Sequence, residues 1–206
     1  MDHMSALEVL AMAFVVGLTG ALAPGPTLVA TVNSSLTGGW SVGPKVTLGH
    51  AIVEAPIFLL VMLGLNVAAE TYRTPLSLIG GLSLMAFGLL TLRGAKEASL
   101  YQSSGLASNP YLAGALTSAA NPYFWIWWLS VGSAMLMEGT RESLALAAVF
   151  MIGHWGADFS WYTLISTSID RGRSLLSETS YRWVLFGCGA FLVLFGAYYM
   201  SRIWTG

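Results

Sequence analysis

Two short patterns in this chain combine side chains able to move protons or hold a charge. His50 is followed four residues later by Glu54, and His154 is followed four residues later by Asp158. Residues four apart share one face of a helix, so each pair projects to one side. The flanking sequence is apolar on both sides of each pair, as a membrane-spanning helix would be. A carboxylate near the middle of such a helix costs roughly 2.5–3.5 kcal/mol, so Glu54 and Asp158 should turn inward. An intramembrane acid facing the interior marks a proton relay, an ion path or a ligand contact. On that reading the carboxylates exchange protons or meet an ammonium group, and the histidines tune their protonation. The plainer alternative is that each histidine hydrogen-bonds its own acid and steadies the fold.

A second set of residues supplies the opposite polarity. Ala23-Pro24-Gly25-Pro26-Thr27 interrupts the first apolar run, and Asn121-Pro122 interrupts the fourth. A proline removes a backbone donor and crowds the carbonyl four residues earlier, so both helices should break. In hydrocarbon the freed backbone groups persist only where protein or a water-filled cavity partners them. The amides at the start of a half-helix attract an anion. Thr27 could cap the half-helix or hydrogen-bond a ligand, and Asn121 could do the same at the second break. With Glu54 and Asp158 these residues describe a cavity with an anion-accepting and a cation-accepting end, suited to a zwitterion such as an amino acid. Asn33 and Ser130 are further lining candidates, with packing roles at least as apt.

The elements that must position these residues are six apolar runs: about Ala6–Leu36, Pro44–Ala69, Pro75–Leu92, Tyr111–Met137, Ser143–Ile169 and Trp183–Ile203. The chain is 55% hydrophobic and 9% charged, with a mean hydropathy of +0.68. A soluble domain carries about 25% charged residues, so this is an integral membrane protein. No basic patch or tail points to nucleic acid. Cys188 is the single cysteine, which leaves neither a disulfide framework nor a cysteine metal site within one chain. The first run lacks a basic leader and a small-residue cleavage site, and reads as a retained span. Lys45, Arg93, Lys96, Arg171, Arg173 and Arg182 fall in loops on one side, against Arg73, Arg141 and Arg202 on the other. The positive-inside rule then places both termini outside, in the plasma membrane.

The second half replays the first. Pro24-Gly25-Pro26 is answered by Asn121-Pro122. Gly49-His50 and Glu54 are answered by Gly153-His154 and Asp158 at a common offset, and Gly81 and Gly88 by Gly189 and Gly196. Three spans per half, an odd number, force the second copy to insert upside down, the plan of many secondary transporters. The expected fold is therefore all-α: six transmembrane helices as two inverted three-helix repeats, with helices 1 and 4 broken at proline. Residues 1–95 form the first repeat, 96–110 a polar linker and 111–206 the second, in one compact membrane domain. Gly80, Gly81, Gly88, Gly187, Gly189 and Gly196 read as sites of close helix approach. Tyr123, Phe124, Trp125, Trp127 and Trp128, like Trp155, Trp161 and Tyr162, read first as packing and interfacial anchors.

At these residues the sequence resembles the lysine-exporter (LysE/RhtB-type) translocator superfamily. The matching features are Ala23-Pro24-Gly25-Pro26, Asn121-Pro122 with its aromatic tail, and six spans in two inverted halves, over essentially the whole chain. The resemblance implies an efflux carrier for amino acids and related small solutes, driven by the proton-motive force. It places that role on Pro24, Gly25, Pro26, Asn121 and Pro122. Two departures stand out. Tyr123 occupies a place where many members have lysine, and His50 one where many have aspartate, with Glu54 supplying the acid.

The leading expectation is a proton-coupled exporter (an antiporter) of amino acids or similar metabolites, working by alternating access at a mid-membrane site. Its partners are the lipid bilayer, protons and a zwitterionic solute; no cofactor is expected, and homo-oligomerisation is left open. The runner-up is a divalent-metal permease, with His50, Glu54, His154 and Asp158 as a four-ligand site. An intramembrane enzyme using these groups for acid–base work comes last, because no nucleophile accompanies them.

Overall fold

The computed structural model describes residues 5–63, 73–97, 109–140, 143–172 and 177–205. Every regular element among them is helical. The polar breaks at 64–72 and 173–176, the side chains of Arg73 and Arg202, the loop cations Arg141 and Arg173, and residues 98–108 of the expected linker lie outside the described residues.

Helix α1 (Ala6–Ala21) begins where Ser5 and Glu8 close a capping box: the Ser5 hydroxyl accepts the Glu8 amide at 3.3 Å, and the Glu8 carboxylate accepts the Ser5 amide at 2.8 Å. Two orphan amides are thereby satisfied. The helix ends before Pro24-Gly25, and α2 (Pro26–Gly38) starts with proline at its first position, where a missing N–H costs nothing. The two halves meet at 81°. Gly39, with φ of 71°, ends α2 in the left-handed region. The turn that follows is tied down by Asp170, whose carboxylate accepts the Trp40 amide at 3.2 Å. Helix α3 (Val42–Met62) carries His50 and Glu54, and α4 (Arg73–Glu97) follows.

The fourth apolar run is also broken. Helix α5 (Pro110–Ala119) stops short of Asn121, and α6 (Pro122–Trp127) starts again with proline at its first position. A single π-helical turn (Trp128–Gly132) then widens the helix before α7 (Ser133–Thr140). Helix α8 (Leu144–Gly172) carries His154 and Asp158, and α9 (Glu178–Thr205) closes the described chain.

Six spans were expected; by length and apolarity alone, the described residues supply two or three. Val42–Met62 and Glu178–Tyr198 qualify, and α1 with α2 qualifies if the bent pair counts as one span. The physical reason lies in the site itself. The proline breaks cut the first and fourth runs into halves too short to count singly. The 29 residues of α8 include His154 and Asp158 in the middle, which dilute its hydropathy.

Helices α3 and α8 meet at the centre; α1 packs on α8, α5 on α3, and α4 on α9. Glycines permit the closest approaches. A β-carbon on Gly88 would sit 2.7 Å from the Gly189 carbonyl oxygen, and one on Gly196 would sit 2.7 Å from that of Gly81. The glycines that repeat between the halves thus face one another across α4 and α9. Where α3 crosses α5, Gly49 lies against the Tyr111 carbonyl and Gly114 against the Val46 carbonyl, with no room for a side chain. Gly114→Val is therefore expected to lower the melting temperature of the detergent-purified protein by on the order of 5 °C, an overpacking cost of roughly 1–3 kcal/mol. Gly94→Ala, at a position with nothing within 4 Å, serves as the control and should leave it unchanged.

Apolar and polar residues are distributed as a lipid solvent demands. Leu7, Leu63, Leu144, Trp183 and Leu194 are largely exposed, while Thr27, Thr31, Ser35, His50, Glu54, Ser118, His154 and Asp158 are buried. The main core gathers Phe124, Trp127, Trp128, Phe150 and Met151 beside the buried acids.

Candidate functional site

The two histidine–acid pairs, on helices distant in sequence, form one cluster. Glu54 is 1% exposed and sits at its centre. Its Oε1 lies 2.9 Å from Nε2 of His50 and 2.9 Å from Nε2 of His154, and accepts the indole N–H of Trp128 at 3.0 Å. Its Oε2 accepts the indole N–H of Trp155 at 2.8 Å. An indole nitrogen can only donate, so both oxygens act as acceptors and Glu54 stands as a carboxylate.

His50 is held from the other side. Its Nδ1 lies 2.5 Å from the Ser118 hydroxyl, which itself donates to the Gly114 carbonyl at 2.6 Å. With Nδ1 on the Ser118 hydroxyl and Nε2 on the Glu54 carboxylate, the His50 ring is held at both nitrogens. His154 is stacked on Trp127, with centroids 4.8 Å apart, and meets the edge of Trp128. Its Nδ1 has no hydrogen-bond partner.

Asp158 is placed differently. It is 2% exposed, and its Oδ2 is 3.4 Å from Nε2 of His154 and 3.7 Å from Nε2 of His50, beyond good hydrogen-bond length. That oxygen has no hydrogen-bond partner. His50 thus meets its own acid, whereas His154 lies closer to Glu54, at 2.9 Å, than to its own Asp158, at 3.4 Å.

These side chains line a cavity together with Gly25, Thr27 and Asn121 from the two helix breaks. The cavity measures about 30 Å³, room for on the order of two waters, so the chamber is narrow in this conformation. Pro24, Pro26 and Pro122 are not among its lining residues; they set the breaks. The two breaks differ. The α2 cap residue is Gly25, not Thr27, and has no side chain to offer. Thr27 instead accepts from the Thr117 hydroxyl at 3.2 Å and is hydrogen-bonded to Tyr162. At α6 the Asn121 side chain accepts the Tyr123 amide at 3.0 Å, a conventional cap. Asn33 and Ser130 lie off the cavity: Asn33 accepts from the Tyr181 hydroxyl, and Ser130 donates to the Ile126 carbonyl at 2.5 Å.

Sequence reasoning missed Trp128, Trp155 and Ser118, which hold Glu54 and His50. Spacing gave no sign of them, since their partners lie on other helices. The one available signal was general: a buried indole N–H or hydroxyl needs an acceptor.

The LysE type translocator model matches residues 18–202. The chain belongs to the LysE type translocator family. Across 193 residues, 91% of the chain and 95% of the relative, it is 29% identical to the chemotactic transduction protein ChpE of Pseudomonas aeruginosa. No solved structure matches. This LysE type translocator is therefore a membrane transport protein and not an enzyme, with the lipid bilayer and a small-molecule substrate as its partners. The metal-permease alternative gains no support from the family. One ligand atom from each of His50, Glu54, His154 and Asp158 does lie within 4.8 Å of the others.

Proposed function

We propose that this translocator exports amino acids or related zwitterionic metabolites across the plasma membrane, coupled to protons, by alternating access around the cavity described above. The observation that carries this reading is the convergence of two proline-broken helices and two buried carboxylates on one narrow chamber. A ligand carboxylate is favoured at a half-helix N-terminus and an ammonium beside a buried acid, so the site has both ends of a zwitterion's complement. Members of this family are translocators, and the chamber lies where broken helices concentrate binding in secondary carriers.

The inverted-repeat plan, with 1–95 and 111–206 as its halves joined by 96–110, belongs to the same proposal. Its support is the pairing of helices: α1 on α8 matches α5 on α3 when the halves are exchanged, while α3 with α8 and α4 with α9 each map onto themselves. An outside location for both termini completes the arrangement.

Proteoliposomes loaded with a radiolabelled mixture of the twenty amino acids test the reading. With an inward proton gradient, wild type is expected to lose label at least tenfold faster than protein-free vesicles, and collapse of the gradient should abolish the difference. Efflux that is indifferent to the gradient would remove the proton coupling. Absence of any efflux would remove the substrate class.

A further inference from the structure

The two buried acids occupy corresponding places in the two halves but have unlike surroundings. Four donors point at Glu54: His50 Nε2 at 2.9 Å, His154 Nε2 at 2.9 Å, and the indoles of Trp128 and Trp155 at 3.0 and 2.8 Å. Three of these donors meet at Oε1 and one at Oε2, so both oxygens of Glu54 are engaged. No hydrogen bond reaches Asp158 Oδ2, which is nevertheless buried and belongs to a side chain lining the cavity. Charged groups facing it are the two imidazoles and Glu54, with the Tyr162 hydroxyl on its own helix also lining the chamber. A buried carboxyl oxygen with no hydrogen bond, and only long contacts to two imidazoles, is poorly satisfied and invites a donor.

The helix breaks are equally unlike. The first amides of α6 meet the Asn121 side chain. Those of α2 begin behind Gly25, which has no side chain, and Pro26, which has no N–H. Thr27 and Leu28, whose amides follow, line the same cavity as Asp158. An uncapped half-helix start and an acid with one oxygen free of hydrogen bonds therefore face one chamber.

We propose that a zwitterionic solute lies across this chamber with its ammonium on Asp158 and its carboxylate at the start of α2, while Glu54 never touches it. Glu54 is a positioning residue: it fixes both imidazoles and both indoles, leaving Asp158 as the exchanging acid. The pseudo-symmetric cluster is thus divided into a fixed half and a working half. This assignment rests on the transport reading above.

The experiment compares wild type with Asp158→Asn and Asp158→Glu, with the pooled twenty amino acids as probe. Asp158→Asn is expected to melt within about 2 °C of wild type and to keep its tryptophan emission maximum, because Trp128 and Trp155 remain on Glu54. It should lose the thermal stabilisation that the pool confers on wild type, and its efflux KM should rise at least tenfold, with Asp158→Glu recovering part of both. A pool of amino-acid amides, which keep the ammonium and lack the carboxylate, should stabilise wild type only at concentrations tenfold higher or more. The assignment of Asp158 is overturned if Asp158→Asn retains the pool's stabilisation, or shifts tryptophan emission and melting together. Equal stabilisation by the amides overturns the α2 end. A wild type that the pool neither stabilises nor exits through removes the transport reading and this inference with it, an outcome distinct from the loss of either end alone.

Discussion

Glu54→Gln is expected to damage the fold before it damages transport. The glutamine amide keeps one oxygen, but its NH₂ group must then face either the Trp155 indole N–H or the cluster of Trp128, His50 and His154 donors. Donor would meet donor in a site that is 1% exposed. His50 and His154 lose their carboxylate partner at the same time. Leaving one partner of a buried pair unmatched costs about 3–5 kcal/mol, and each further unsatisfied donor about 1–3 kcal/mol. Against a total stability of roughly 5–15 kcal/mol, that is a large fraction. The expected result is a fall of on the order of 10 °C in the melting temperature of purified protein, together with a red shift in tryptophan emission as Trp128 and Trp155 lose their acceptor. Melting equal to wild type would mean that Glu54 is not the centre of the cluster.

Gly25→Leu should do the opposite: spare the fold and stop the transport. The Gly25 backbone is extended, with φ −148° and ψ −172°, a conformation open to any residue. A β-carbon there would stand 3.3 Å from the Asn121 side-chain nitrogen, close enough to ask for a small adjustment and no more. The rest of a leucine side chain would enter the cavity of about 30 Å³ and cover the uncapped amides of α2. Amino-acid efflux from proteoliposomes is expected to fall at least tenfold, with melting displaced by no more than about 3 °C. Undiminished efflux would place the solute path away from the first break.

The two substitutions contrast two kinds of information. Periodicity and composition alone identified the membrane class: an apolar chain whose charges sit between apolar runs has one solvent in which to fold. Proline and glycine marked both helix breaks to within a residue or two, because Pro24, Pro26 and Pro122 act on their own backbone through local sterics and a missing N–H. The turn-spaced pairs His50/Glu54 and His154/Asp158 placed each histidine and acid on one helix face for the same local reason.

What no local rule could supply was which partner each side chain would choose. Two similar i, i+4 pairs entered the fold, and the crossing of α3 and α8 gave both imidazoles to Glu54 and left Asp158 Oδ2 without a hydrogen bond. The π-turn at Trp128–Gly132 carries an indole that reaches that same carboxylate, and Ser118 holds the His50 ring from a helix remote in sequence. Sequence alone determined where the chain breaks and which acids are buried, because backbone sterics and hydrophobic patterning are local. Only the tertiary structure decided which acid is clamped and which keeps an oxygen without a hydrogen bond, because hydrogen-bond partners are shared among helices.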